Sequence, residues 1–113
     1  MTTSHVTTHI LDTATGKPAA GVPVELHALV DGSWSEIAAA QTDSDGRVKA
    51  IGPELLASGT YRLQFTTAGY FAERNTASFF PEVVLTFAVN RNEEHYHIPL
   101  LLSPFSFSSY RGS

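Results

Sequence analysis

The sequence predicts an all-β domain: two packed sheets of about eight strands with Greek-key links, and one short helix. Three observations carry that expectation. Gly, Pro, Asp and Asn cut the chain into short segments. Several segments alternate apolar and polar residues as half-buried strands do, with Tyr61, Leu63 and Phe65 the clearest set. No internal repeat is present, so the segments pack as one unit, a single domain over residues 1–113. A chain of this length buries roughly two-thirds of its unfolded surface, enough for one core.

The first strand runs from His5 to Asp12 and closes in Thr13-Ala14-Thr15-Gly16-Lys17-Pro18 and Ala19-Ala20-Gly21. The second spans about Val22 to Val30 and meets the Asp31-Gly32 turn. A third follows from Trp34 to Thr42, although Ala38-Ala39-Ala40 has weak strand preference. Asp43-Ser44-Asp45-Gly46 is a turn that launches a short strand from Arg47. Glu54-Leu55-Leu56 reads as a helical turn, and Thr60 to Thr67 as a strand. Ala68 to Asn75 is the short helix, since Tyr70, Phe71 and Arg74 fall at helical spacing. Val83 to Val89 is an apolar strand, turned by Asn90-Arg91-Asn92 into His95 to Leu102. Ser103-Pro104 breaks to the last strand, Phe105 to Arg111.

Because strand side chains alternate, the faces follow directly. Val6, Thr8 and Ile10 oppose Thr7, His9 and Leu11; Tyr96, Ile98, Leu100 and Leu102 oppose His95, His97, Pro99 and Leu101. In the last strand Phe105, Phe107 and Ser109 oppose Ser106, Ser108 and Tyr110. The core claims the apolar sets, which leaves His9, His97 and Tyr110 on outward faces. If their strands are neighbours, these groups converge on one surface.

Composition excludes several classes. With 42% hydrophobic and 16% charged residues and a formal charge of -4, the chain has no basic block to neutralise phosphates, so no nucleic-acid partner is expected. There is no cysteine, hence no disulfide framework, thiolate nucleophile or zinc-thiolate site. No run approaches the ~18 apolar residues of a membrane span, so no membrane association is expected. Met1-Thr2-Thr3-Ser4-His5 lacks the basic and apolar regions of a secretory leader, and Arg111-Gly112-Ser113 is not a peroxisomal address; the cytoplasm is the expected compartment.

No serine sits in a Gly-x-Ser-x-Gly elbow, and Gly16, Gly21, Gly32 and Gly46 read as turn residues rather than a phosphate cradle. His9, His95 and His97 together match the ligand types of a three-histidine zinc site, but no carboxylate is evidently placed to support them. His5 and His27 read as solvated surface residues, and His95 as a surface residue paired with Glu93 or Glu94. His9, His97 and Arg47 form a different set. A neutral imidazole takes a proton from water near neutral pH. A guanidinium holds a planar anion and steadies developing oxyanion charge. Together they suit water attack on a cyclic amide or imide. The competing reading makes Arg47 a turn-flanking surface cation and Tyr110 a structural aromatic. The closing Tyr110-Arg111-Gly112-Ser113 delivers a cation, a hydroxyl and a carboxylate to wherever the last strand ends.

These residues carry a resemblance. Ser4-His5-Val6-Thr7-Thr8-His9-Ile10-Leu11-Asp12 with Gly16-Lys17-Pro18-Ala19, Thr42-Asp43-Ser44-Asp45-Gly46-Arg47, and His95-Tyr96-His97-Ile98-Pro99-Leu100-Leu101-Leu102-Ser103-Pro104 are similar to the transthyretin-related family. The Tyr110-Arg111-Gly112-Ser113 ending is similar to that of its 5-hydroxyisourate hydrolase branch. The resemblance implies a transthyretin-like (prealbumin-like) sandwich, assembled as a homotetramer (dimer of dimers) with active sites along a channel at the dimer–dimer contact. It implies hydrolysis of 5-hydroxyisourate to 2-oxo-4-hydroxy-4-carboxy-5-ureidoimidazoline in urate degradation, with no metal or cofactor. Catalytic roles fall on His9, Arg47, His97 and Ser113; substrate contacts fall on His9, Arg47, Tyr110, Arg111, Gly112 and Ser113. Three rivals compete with it: a transthyretin-type carrier of a small hydrophobic ligand, a structural or carbohydrate-binding module, and a zinc hydrolase.

Overall fold

Strands β1 (Val6–Asp12), β2 (Lys17–Pro18), β3 (Pro23–Val30), β4 (Ser33–Gln41), β5 (Arg47–Val48) and β6 (Gly59–Thr66) precede a short helix, α1 (Ala68–Glu73). Strands β7 (Glu82–Val89), β8 (Tyr96–Leu102) and β9 (Phe107–Ser109) follow it. The structure is a computed structural model describing residues 3–113; Met1 and Thr2, part of the segment read as lacking a leader, lie outside the described residues. Eight strands correspond to those expected. The ninth, β2, is a two-residue pairing of Pro18 with Leu11 and Lys17 with Asp12, inside the stretch read as a turn.

Two sheets form. One has the order β2-β1-β8-β9, with β5 also paired to β1; the other has the order β4-β3-β6-β7. Strand β1 runs parallel to β8 on one edge, and its other edge is shared by β2 and β5. The inner faces meet as alternation demands. Val6, Ile10, Leu100 and Leu102 from the first sheet, and Val24, Leu26, Leu63 and Phe65 from the second, are buried to within 1% of full coverage. Each such side chain contributes about 1.5–3 kcal/mol relative to remaining in water. The first sheet's outer face carries Thr7 opposite His97, His9 opposite Pro99 and Leu11 opposite Leu101.

Local chemistry explains the turns. Asp31 (φ 51°) and Gly32 (φ 79°) both take the left-handed conformation that a two-residue hairpin needs, closing Val30 against Ser33. Between Leu26 and His27 the register slips by one, leaving Ile37 unpaired as a bulge in β4, and Ala38 and Ala40 pack against the core despite weak strand preference. Helix α1 buries Tyr70 and Phe71, and the Tyr70 hydroxyl donates to Asp12 Oδ2 at 2.7 Å, pinning the helix to the end of β1.

Some expectations need correction. Glu54-Leu55-Leu56 is not helical, because the Leu56 amide donates to His5 Nδ1 (2.9 Å) instead of to its own chain. His5 is buried, not solvated: its Nε2–H donates to the Glu93 carbonyl at 2.7 Å, so it ties the chain start to two loops. His27 is also buried, between Glu25 and Arg62. The last strand is shorter than expected, because Ser103 and Ser106 close a turn that delays pairing to Phe107. Phe105 is therefore 67% exposed and lies outside the core.

Candidate active site

A tight turn sets the cationic group. Asp43 Oδ1 accepts the backbone N–H groups of Asp45 and Arg47, each at 2.9 Å, and the Gly46 amide returns to the Asp43 carbonyl. The Arg47 amide is the first cause holding the Asp43 carboxyl below its usual range; the Asp45 amide and the charges of Lys49 and Arg47 add to it against some desolvation. Gly46 is required twice over. Its φ is +72°, and a Cβ there falls 2.6 Å from the Ile10 carbonyl oxygen, which lies close because the Ile10 amide bonds to the Gly46 carbonyl. Arg47 thus emerges directly opposite His9 in the β1–β5 pair.

On the other side of β1, His97 stands opposite Thr7. The Thr7 hydroxyl lies 2.9 Å from His97 Nδ1 and 2.9 Å from His95 Nε2, so one buried threonine joins two imidazoles. Position 7 escaped the sequence reading as a functional residue. His95, read as paired to a neighbouring glutamate, bonds to Thr7 instead. Among the described residues His97 Nε2 has no hydrogen-bond partner. The pKa of His97 lies below the ordinary imidazole value of 6.5; burial is the largest cause, followed by the positive charge of Arg47 and then His95 and His9. His97 is therefore neutral at pH 7. The side chains of His9 and Arg47 make no hydrogen bond or ion pair among the described residues.

An open cavity of about 570 Å³ lies over this face, lined by Thr7, Arg47, Lys49, His95, His97 and Ser113 among others. Ser113 arrives there through its neighbour. The Gly112 amide donates to the His97 carbonyl at 2.7 Å, an isolated antiparallel bridge beyond the end of β9. His9 stands opposite Arg47 at the margin of this cavity without lining it, and the structure does not bring Tyr110 and Arg111 there. Leu100 pairs with Ser109 and His97 with Gly112, so in the continuing register Arg111 turns toward the inner side. There its guanidinium stacks 4.6 Å over the Tyr96 ring, with Glu93 at 3.7 Å. Tyr110 and Arg111 line a second cavity, about 390 Å³, with Tyr96, Ile98 and the edge of β7.

Among the described residues the His/carboxylate trio with ligand atoms within 4.8 Å of one another is Glu25, His27 and Glu36; His9, His95 and His97 do not converge in this way. The trio does not fit a cation. Arg62 Nε donates to His27 Nδ1 at 2.8 Å, and a guanidinium cannot accept, so the His27 proton sits on Nε2, the atom a metal needs bare. That proton goes to Glu25 at 2.9 Å. Among the described residues no helix is long and apolar enough to cross a membrane.

The model of the HIUase/Transthyretin family matches residues 6–112. The chain belongs to the HIUase/Transthyretin family. A 5-hydroxyisourate hydrolase of Salmonella dublin is 48% identical over 106 residues, covering 93% of this chain and 78% of the relative. The structure of Klebsiella pneumoniae 5-hydroxyisourate hydrolase superposes with a TM-score of 0.85 at 36% identity, covering 100% of both chains. Sea bream transthyretin, solved in complex with thyroxine, superposes at 0.89 with 30% identity, covering 96% of this chain and 94% of that one. Both solved relatives share the family fold closely, so the fold does not separate a hydrolase from a carrier.

Proposed function

We infer that this chain hydrolyses 5-hydroxyisourate to 2-oxo-4-hydroxy-4-carboxy-5-ureidoimidazoline, a step of urate degradation. The carrying observation is one cavity holding His97, whose Nε2 is free, together with Arg47 and Ser113. Its relatives of known name on the hydrolase side support the same reading.

His97 Nε2 takes a proton from water as the water oxygen attacks a ring carbonyl of the substrate. The same proton passes to the ring nitrogen as the C–N bond opens, so the net change is addition of one water. Arg47 receives the carbonyl oxygen as negative charge develops on it; a fixed cation there lowers the barrier because it needs no reorganisation. His9, beside Arg47, and the Ser113 hydroxyl orient the substrate. Gly112 holds Ser113 in place, and Tyr110 and Arg111 anchor the tail from its other side. No metal or cofactor takes part.

The active assembly is a homotetramer, a dimer of dimers, whose central contact closes the open cavity. Leu101 supports this, since it shares the outer face with His97, is only half-buried in the single chain and gains from being covered.

The discriminating experiment compares two readouts on one preparation of stated mass by light scattering. Catalytic decay of the ultraviolet absorbance of freshly generated 5-hydroxyisourate is expected from a tetramer. Stoichiometric binding of a thyroid-hormone-like dye without turnover overturns the assignment in favour of a carrier, for which these polar groups offer an apolar ligand little.

A further inference from the structure

The arrangement around Thr7 carries a consequence for which form of His97 is present. A threonine hydroxyl owns one proton and two lone pairs. It cannot donate to both His95 Nε2 and His97 Nδ1, each 2.9 Å away, so at least one imidazole donates to it. The two orderings are chemically distinct. If Thr7 donates to His97 Nδ1, the His97 proton sits on Nε2 and no lone pair faces the cavity. If His97 Nδ1–H donates to Thr7, the Nε2 lone pair is free.

The surroundings select the second ordering. Glu54 and Glu94 line the cavity as well as Arg47 and Lys49, but the charge that acts most on His97 is that of Arg47, and a cation beside the ring favours a bare nitrogen over an N–H dipole directed at it. Gly112 blocks rearrangement of the ring: a Cβ at that position falls 2.7 Å from His97 Cδ2, so the backbone lies against this edge. Thr7 itself is 8% exposed, which keeps competing water from its hydroxyl. His95 is exposed, so the far end of the chain of hydrogen bonds meets solvent.

We propose that Thr7 is a positioning residue that fixes His97 as the Nδ1–H tautomer, and that Thr7 and His95 form a relay for the proton His97 takes up. The proposal rests on His97 being the base. When water loses a proton to His97 Nε2 and its oxygen bonds to the carbonyl carbon, the positive charge begins on His97. The Nδ1 proton then moves to Thr7 Oγ1 while the Thr7 proton moves to His95 Nε2. Thr7 is again a neutral hydroxyl and the charge rests on His95, at the solvent. As the ring C–N bond breaks, the Nε2 proton goes to the departing nitrogen and both relay protons run back.

The test is long-range proton–nitrogen correlation on the histidine-labelled, full-length protein at a pH above the imidazole titration, which reads the tautomer without any turnover. The wild-type protein is expected to show His97 protonated on Nδ1 and bare on Nε2. Thr7→Val, matched in shape but without the hydroxyl, is expected to release His97 to the other tautomer and to lower kcat by about 100-fold with KM unchanged; Thr7→Ser is expected to restore both. A wild-type His97 protonated on Nε2, or a folded Thr7→Val protein with unchanged tautomer and kcat, overturns the proposal. Full activity of His97→Ala, with the wild-type tautomer as expected, overturns the assignment of the base and leaves the Thr7 bridge standing.

Discussion

Gly112 lies against the imidazole of His97: its amide donates to the His97 carbonyl at 2.7 Å, and a Cβ at position 112 falls 2.7 Å from His97 Cδ2. The closing segment is thus fastened to the strand that carries the base, and fastened there only because residue 112 has no side chain. Gly112→Ala is expected to push either the ring or the tail aside. A displacement near 1 Å costs about 100-fold in catalysis, so kcat/KM measured by ultraviolet decay falls by that order. Since the tail is largely exposed, Tm stays close to wild type.

The pH dependence follows from the same ring. His97 acts only when neutral, and its folded-state pKa lies below 6.5, through burial first and then the charge of Arg47, with His95 and His9 adding. Glu54 and Glu94 also line the cavity and oppose part of that lowering in principle, yet the net direction is down. The acid limb of the kcat/KM profile is expected below pH 6.5. In Arg47→Gln it moves toward higher pH, since one cause of the lowering is gone, while the rate falls. For folding the sign is the same: the contribution of neutral His97 is present above pH 6.5 and is lost as pH falls through the folded value.

At the far end of β1, Asp12 is 2% exposed and accepts from the Ala14 and Thr15 amides and from the Tyr70 hydroxyl. Burial first, then the Asp12 bond, pushes the Tyr70 pKa up to about 12. Tyr70→Phe removes a hydrogen bond to a charged group, worth about 1.5–3 kcal/mol. A urea titration is expected to show a loss of that order, with kcat/KM per folded molecule unchanged, because the pair touches neither cavity.

Gly46→Ala tests how the Asp43–Arg47 turn places the cation. A φ of +72° costs an alanine about 1–3 kcal/mol, and the 2.6 Å approach to the Ile10 carbonyl adds to it. The expected result is a lower urea midpoint together with a lowered kcat, as Arg47 leaves its place opposite His9.

Much of this was legible in the sequence. Period-two alternation places His9 and His97 on one outer face, and the parallel β1–β8 pairing makes those faces one surface. The Asp31-Gly32 hairpin and the Asp43–Gly46 turn follow from residues that accept the required conformations. What alternation cannot supply is register. Thr7 becomes a bridge only because it pairs with His97 and not with a neighbour two residues away. Arg111 is a different case: alternation from Phe105, Phe107 and Ser109 already puts it on the core side, where the Leu100–Ser109 register keeps it, and only the resemblance assigned it to the substrate. His5 and His27 were misjudged because a polar ring is buried where distant chain supplies partners: Leu56 and Glu93 for one, Arg62 for the other.

The most direct test of the central claim is the initial rate of 5-hydroxyisourate decay for wild type and for a folded, assembled His97→Ala variant at equal protein concentration. Loss of an activated general base predicts a fall in kcat of about 10²–10⁴-fold. A variant that turns over substrate at the wild-type rate contradicts the account.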